Sequence, residues 1–184
     1  MFVYVSMKKL ILSLSLLLSL SVHAQKETTQ VLEAENINTV ILNSDEIYRV
    51  AITTAPVHSI TIRSKADGEY FNDISLESEI RQNTLFLKSR FREILQSGFD
   101  KLSAHKVFAM EVELEIPEEM TLEIKSNVAS VFMKGDYEQV LIQLKTGSAF
   151  LKDFIGNAII NTYDGNIELE TENAQVEAKS RHGK

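Results

Sequence analysis

Apolar residues recur every 18 positions through the last third of the chain. The period defines four columns, and each column begins between residues 122 and 133. The columns are Leu122, Val140, Ala158 and Val176; Ile124, Ile142, Ile160 and Ala178; Val131, Ala149 and Ile167; and Met133, Leu151 and Leu169. A fixed period near 20 residues is typical of stacked repeats, in which equivalent side chains lie above one another. The pattern predicts an all-β fold, a parallel β-solenoid with coils of about 18 residues over residues 121–184.

Each repeat contains two strand-like pieces separated by a bend. The bends fall at Thr146-Gly147-Ser148 and Asp164-Gly165-Asn166, where glycine adopts positive φ without steric cost. A β-meander or a β-sandwich also has short strands and glycine turns. Neither of them requires every apolar column to keep one register, so the solenoid is favoured.

The first half of the mature chain also predicts strands, but without the 18-residue register. Residues Val107–Pro117 alternate strictly, with Met110, Val112, Leu114 and Ile116 on one side, as expected of a strand with one buried face. Shorter runs with turn residues between them occur at Thr39–Leu42, Tyr48–Thr53, His58–Arg63, Ile74–Glu79 and Thr84–Lys88. We expect a single β domain over residues 37–184, in which residues 37–120 form an irregular β half. Residues Phe91–His105 are predicted to be an irregular excursion with one helical turn.

The N-terminus has the three-part layout of a secretory signal peptide. Lys8 and Lys9 precede a 13-residue apolar run from Leu10 to Val22, and Val22-His23-Ala24 places small residues at a cleavage site. We predict a signal peptide over residues 1–24, with residues 1–6 an upstream extension, and a linker over residues 25–36. An uncleaved membrane anchor is the alternative, but the run is short for a hydrocarbon core of about 30 Å. The predicted location is the periplasm or the outer cell surface.

Charge and composition exclude several classes of protein. The formal net charge is −7, and it becomes −9 once Lys8 and Lys9 are removed with the signal peptide. Nucleic-acid binding requires a concentrated basic surface, so it is not expected here. The chain has no cysteine, which excludes disulfides, thiolate metal sites and cysteine nucleophiles.

No catalytic, metal-binding or cofactor-binding motif is present, and we predict no site residues and no cofactor. His58, His105 and His182 lack both a nucleophile motif and a histidine ligand at the helical spacing used by metal sites. Acidic residues do not recur at the 18-residue period, and Glu168 with Glu170 is expected to face solvent. Phe132 and Phe150 are 18 residues apart; a carbohydrate-stacking stripe is conceivable, but packing between neighbouring strands is favoured.

Residues Ile116–Ile124, followed by Lys145–Ala149 and Tyr163–Leu169, resemble an adhesin-like β-solenoid family of the Gram-negative envelope. The family is also described as the head domain of auto-transporter-type adhesins. The likeness spans residues 37–184. It implies a right-handed parallel solenoid outside the cytoplasm and no catalytic residues. One departure is that the last repeat stops at its bend, Gly183, so the sequence is expected to be a fragment or to have its open end capped by a partner.

The predicted function is that of an exported, non-enzymatic binding or structural module of the cell envelope. Its partner is an envelope protein or a glycan, held on a flat strand face or at the open coil edge. Self-association through the open coil end is also possible, because an unpaired edge favours pairing with another chain. The alternative is a carbohydrate-active β-helix, which requires acids in register beneath long loops. A third possibility is envelope sensing through a partner protein.

Overall fold

The computed structural model describes residues 25–67, 74–91 and 109–183, and these residues form twelve β-strands. The strands are β1 Gln25–Glu33, β2 Thr39–Ser44, β3 Ile47–Ala55, β4 Ser59–Asp67, β5 Ile74–Arg81, β6 Thr84–Phe91, β7 Ala109–Pro117, β8 Met120–Ser126, β9 Ser130–Thr146, β10 Ala149–Asp164, β11 Ile167–Glu170 and β12 Asn173–Ser180. The predicted signal peptide lies outside the described residues. So does the excursion predicted over Phe91–His105, except that Phe91 ends β6.

The strands form one mixed sheet that curls around its own apolar side. One arm runs in the order β1-β4-β7-β3-β9 and the other runs β9-β8-β2-β6-β5. The two arms meet at β9, because residues 130–134 pair with β3 and residues 137–144 pair with β8. β10 extends both arms by pairing along β9, and its two halves pair with β11 and β12.

The prediction of a parallel β-solenoid with regular coils is therefore wrong, although the all-β class is correct. β4 runs antiparallel to both β1 and β7, and β5 runs antiparallel to β6. The short connections explain these directions, because a parallel neighbour requires a crossover of a dozen or more residues. Only Gln82 and Asn83 separate β5 from β6, and Gln82 has a φ of 53°. Three residues separate β3 from β4, so the chain reverses direction between these strands. β3 and β4 are not direct neighbours in the sheet, because β7 lies between them.

The 18-residue spacing nevertheless appears as strand register in the C-terminal part. Val140 pairs with Ala158, which in turn pairs with Val176. The first half joins the same sheet at a longer separation: Leu42 pairs in parallel with Ile124, and Val50 with Val131. The residues between β3 and β8 supply β4 to β7, which extend the arms instead of adding coils.

A single apolar core lies inside the curl. It combines buried residues of both arms, including Val40, Leu42, Val50, Ile52, Val112, Leu114, Leu122, Ile124, Val131, Ile142, Leu151 and Ile160. Tyr137 and Phe154 stack inside it with ring centroids 5.5 Å apart, and the Tyr137 hydroxyl donates to the carbonyl oxygens of Ile52 and Lys134. The core opens at β11 and β12, where Leu169 is 40% exposed.

Residues 25–36, predicted to be a linker, contain strand β1. All nine of its residues pair with β4, from Gln25 with Asp67 to Glu33 with Ser59. Its sequence is polar because β1 is an edge strand, and main-chain hydrogen bonds hold it there more than apolar burial does. Within the described ranges, no helix has the length and hydrophobicity needed to cross a membrane.

Candidate functional site

The side chains considered for chemistry do not come together in the structure. His58 lies in the connection between β3 and β4, whereas His182 packs edge-on against Tyr163 with ring centroids 5.0 Å apart. His105 lies outside the described residues. Glu168 and Glu170 are exposed on β11. Among the residues that the structure describes, no group of three histidine and acidic side chains is placed to hold a metal ion.

Phe132 and Phe150 pack against each other across β9 and β10. Their ring centroids are 4.8 Å apart and the rings are nearly parallel, at 11°. The Arg49 guanidinium, on β3, lies 4.1 Å from the centroid of Phe132. Phe132 is thus held between neighbours on both adjoining strands, which leaves little of its ring face for stacking on a sugar.

A larger feature is the outer surface of six adjacent strands, in the order β6-β2-β8-β9-β10-β12, which we call the polar face. Along the first five of these strands, outward residues alternate with buried ones, such as Leu122 and Ile124 on β8, whereas β12 has no fully buried residue. The strand register places the outward residues in columns that cross all six strands. Because neighbouring strands lie about 4.8 Å apart, each column presents a side chain at that interval.

Three columns make up the polar face, and each differs in chemistry. The amide column contains Thr84, Thr39, Thr121, Gln139, Asn157 and Gln175. The central column contains Phe86, Ile41, Glu123, Leu141, Ile159 and Glu177. The lysine column contains Lys88, Asn43, Lys125, Gln143, Asn161 and Lys179. The central column is partly apolar. The amide column lies on one side of it with hydroxyl and amide groups, and the lysine column lies on the other side with amide and ammonium groups.

The lysine column lines a groove of about 900 Å³ at the carboxyl ends of these strands. We call it the basic groove. Among the described residues, five basic side chains line it, against two acidic ones. The basic residues are Lys88, Lys125, Lys145, Lys179 and Arg181, and the acidic ones are Asp45 and Glu46. A groove with a basic excess contrasts with the formal charge of −7 for the whole chain.

Both acids in the basic groove are already bound by neutral side chains. The Asn127 amide donates to the Asp45 carboxylate at 2.8 Å, and the Ser89 hydroxyl donates to Glu46. Lys125 pairs with Glu123 at 2.5 Å. Lys88, Lys145 and Lys179 are exposed and have no acidic partner among the described residues. Their ammonium groups are available to a ligand.

Hydroxyl groups anchor the strand ends beneath the basic groove. The Thr162 hydroxyl donates to the Gly147 carbonyl at 3.1 Å, and the Ser180 hydroxyl donates to the Gly165 carbonyl at 2.7 Å. Ser126 accepts from the backbone N–H groups of Val128 and Ala129. Each bond fixes a strand end or a bend next to it, so the groove is built on rigid elements.

A second depression, of about 500 Å³, lies on the outer surface of the other arm. Its lysines are paired: Lys134 contacts Asp153 at 2.8 Å, and Lys152 contacts Glu170 at 3.9 Å. The hydrogen bond from Lys134 lowers the pKa of the Asp153 carboxyl, and the same bond raises the pKa of Lys134. This depression therefore offers fewer unpaired groups than the basic groove.

The polar face combines groups that bind rather than react. Asparagine and glutamine amides both donate and accept hydrogen bonds, and lysine supplies a point charge with three donors. Neither the apolar columns nor the positions of the acids in the sequence predict this face. The available signal was the same 18-residue spacing applied to polar residues, in Gln139, Asn157 and Gln175 and in Lys125, Gln143, Asn161 and Lys179.

Comparison with known proteins gives structural neighbours only. No family model matches the chain, and no curated protein matches it either. A solved structure described as a "putative cell adhesion protein" from Clostridium sporogenes is 11% identical, with 85% of this chain and 99% of that chain covered and a TM-score of 0.42. Two structures described as a "putative adhesin" are also similar. The one from Bacteroides fragilis is 12% identical (86% and 95% covered, TM-score 0.32), and the one from Parabacteroides distasonis is 13% identical (84% and 79% covered, TM-score 0.31).

These TM-scores are all below 0.5, so no property of these proteins is transferred to the chain. The neighbours do not confirm the predicted resemblance to an auto-transporter adhesin head or to a solenoid.

Proposed function

We propose that the protein is a non-enzymatic binding module of the cell envelope, adhesin-like in function, which holds an extended glycan on its polar face. The observation that carries the proposal is the alignment of three chemically distinct columns across six strands. A surface that repeats its side chains at strand spacing suits a ligand that also repeats. Each single contact can then be weak, while the contacts together give a high overall affinity.

The chemistry of the columns favours a glycan over other extended ligands. Sugar hydroxyls both donate and accept hydrogen bonds, which matches the amides of Gln139, Asn157 and Gln175. The C–H faces of sugar rings match the apolar part of the central column, where Ile159 is 38% exposed and Leu141 is half-buried. A peptide strand added to the sheet would instead use a sheet edge, and the polar face lies on the outer surface of the strands.

The absence of catalytic function is part of the proposal. Glycoside hydrolysis uses a pair of carboxyl groups on either side of the scissile bond. On the polar face, Glu123 pairs with Lys125, and Glu177 lies on β12 three strands away from β8. The signal-peptide pattern of residues 1–24 supports export to the periplasm or the outer surface.

A binding assay on immobilised polysaccharides tests the proposal. The purified protein is passed over a panel of neutral and acidic envelope-type polysaccharides, and its affinity is compared with that of Gln139→Ala/Asn157→Ala. We expect at least one polysaccharide to bind. The double variant should bind it about fivefold or more weakly, since each lost hydrogen bond is worth about 0.5–1.5 kcal/mol.

The matched control is Thr53→Ala/Glu168→Ala, which changes two exposed residues of the depression on the other arm. It should keep the affinity of the unmodified protein. Equal loss in both double variants, or no binding to any member of the panel, would rule out the polar face as a glycan site. Release of shortened sugars from a bound polysaccharide would instead identify an enzyme.

A further inference from the structure

The charge of the basic groove differs in sign from that of the chain. Its basic excess comes from residues on separate strands, Lys88 on β6, Lys145 on β9 and Lys179 on β12. Positive charges that are brought close together repel one another, and these three lysines have no acidic partner among the described residues to offset the repulsion. The stability of the fold does not require them, because all three side chains are exposed.

Other lysines have acidic partners. Lys65, Lys134 and Lys152, outside the basic groove, and Lys125 within it each have an acidic partner within 4 Å. The two described acids that line the basic groove, Asp45 and Glu46, instead accept hydrogen bonds from Asn127 and Ser89. Three of the groove's described cations therefore have no acidic partner, whereas both of its described acids already accept a hydrogen bond, and this favours an anionic ligand.

The spacing of the cations limits the charge density of that ligand. Along the lysine column, Lys88 and Lys125 are two strands apart, and Lys125 and Lys179 are three strands apart. At a strand spacing of about 4.8 Å, these intervals are about 10 Å and about 14 Å. A nucleic-acid strand carries one charge about every 3.4 Å, which is several times denser.

The residues between the lysines are Asn43, Gln143 and Asn161, and their amides suit hydroxyl groups. Lysine is a point charge without the planar fork that arginine offers to phosphate. Arg181, the one arginine among the described residues that line the groove, lies over the Tyr163 ring at 5.1 Å. A column that alternates point charges with amides matches a polymer that alternates carboxylates with hydroxyls.

We propose that the basic groove selects an acidic polysaccharide, a hydroxyl-rich chain that carries carboxylate groups at intervals. This inference rests on the proposed glycan-binding function and specifies its ligand. Exposed charges are screened over about 8 Å at physiological ionic strength, so binding weakens as salt is added.

Hyaluronan and its fully methyl-esterified form test the selection, because they share a backbone and differ only in charge, and because hyaluronan carries a carboxylate only on every second sugar. Calorimetric titration of the purified protein at low salt should give at least tenfold tighter binding to hyaluronan than to its ester. The difference should shrink when sodium chloride is raised from 50 to 300 mM. Lys88→Gln/Lys145→Gln/Lys179→Gln should lose at least tenfold in affinity for the acid polymer and keep its affinity for the ester.

The matched control is Lys134→Gln/Lys152→Gln, which removes two lysines of the other arm and should leave both affinities unchanged. Equal binding of the two polymers, or an unaffected triple variant, would overturn acid selection while leaving glycan binding intact. Equally tight binding of single-stranded DNA would overturn it as well, since it would show attraction of any polyanion. No binding to either polymer or to the polysaccharide panel would overturn the proposed function too.

Discussion

Glycine is required at positions 147 and 165 by the closeness of successive bends. A Cβ atom on Gly147 would lie 2.1 Å from the Ala129 carbonyl oxygen, and one on Gly165 would lie 1.9 Å from the Gly147 carbonyl oxygen. Gly147 also has a φ of +109°, whereas the reason at Gly165 is the contact alone. Positive φ, the reason given by the sequence, is therefore only part of the explanation.

Substitution of Gly165 by alanine should destabilise the fold. Backbone atoms must move to admit the methyl group, and overpacking of this kind costs about 1–3 kcal/mol. Urea unfolding followed by circular dichroism measures the loss. Lys145→Ala, on the exposed end of β9, is the control and should change stability by less than about 0.5 kcal/mol. Similar stability of the two variants would contradict the close contact.

Tyr137 should make stability depend on pH in the alkaline range. Burial raises the pKa of its phenol above the ordinary value of about 10, so the folded state favours the neutral form. The stabilisation is complete below pH 10 and declines as pH rises towards the folded-state pKa. Tyr137→Phe should be less stable at pH 7 by about 0.5–1.5 kcal/mol because its hydrogen bonds are lost.

The difference between Tyr137→Phe and the unmodified protein should narrow between pH 10 and pH 11, measured by urea unfolding at each pH. Tyr48, whose pKa is raised to about 12 by desolvation and its hydrogen bond to Glu111, is present in both proteins and does not affect the comparison. A difference that stays constant up to pH 11 would contradict the buried phenol.

β9 shows how the alternation of apolar and polar residues determines which face of a strand is buried. Ile142 is fully buried, and its neighbour Gln143 is exposed. Ile142→Asp should prevent folding, because an unpaired buried charge costs several kcal/mol against a total stability of about 5–15 kcal/mol. Gln143→Asp places the same carboxylate in solvent and should keep the melting temperature. Thermal unfolding of both variants decides the point, and an unchanged melting temperature for Ile142→Asp would refute the inward assignment.

Alternation predicts the existence of strands and their buried side more readily than their direction. The four residues predicted to be buried on β7, Met110, Val112, Leu114 and Ile116, are at most 2% exposed. The same alternation suits parallel and antiparallel neighbours, so the reversal at β4 could not be read from it. The columns of the polar face were missed for a related reason: outward residues are free of packing constraints, so their chemistry changes from strand to strand.

Two strands of the first half, β2 and β3, pair with C-terminal strands that are far away along the chain. Val40 and Leu42 of β2 pair with Leu122 and Ile124 of β8, 82 positions further along the chain. The segments resemble each other, as Thr39-Val40-Ile41-Leu42 and Thr121-Leu122-Glu123-Ile124, but β3 to β7 intervene. A search for one short sequence period detects stacked coils, but it does not detect two paired strands that are 82 positions apart in the sequence. The two arms consequently share one core.

A shared core implies that the two halves unfold together. Leu42→Ala in β2 should cost about 2–5 kcal/mol, because the buried leucine leaves a cavity beside Leu87 and Ile124. Hydrogen exchange followed by mass spectrometry should show faster exchange in peptides of β8, β9 and β10 as well as β2, since their slowest amides exchange through global unfolding. Lys88→Ala, on the exposed side of β6, should leave all four regions protected. Faster exchange confined to β2 and β6 in Leu42→Ala would instead show that the C-terminal strands hold their own core.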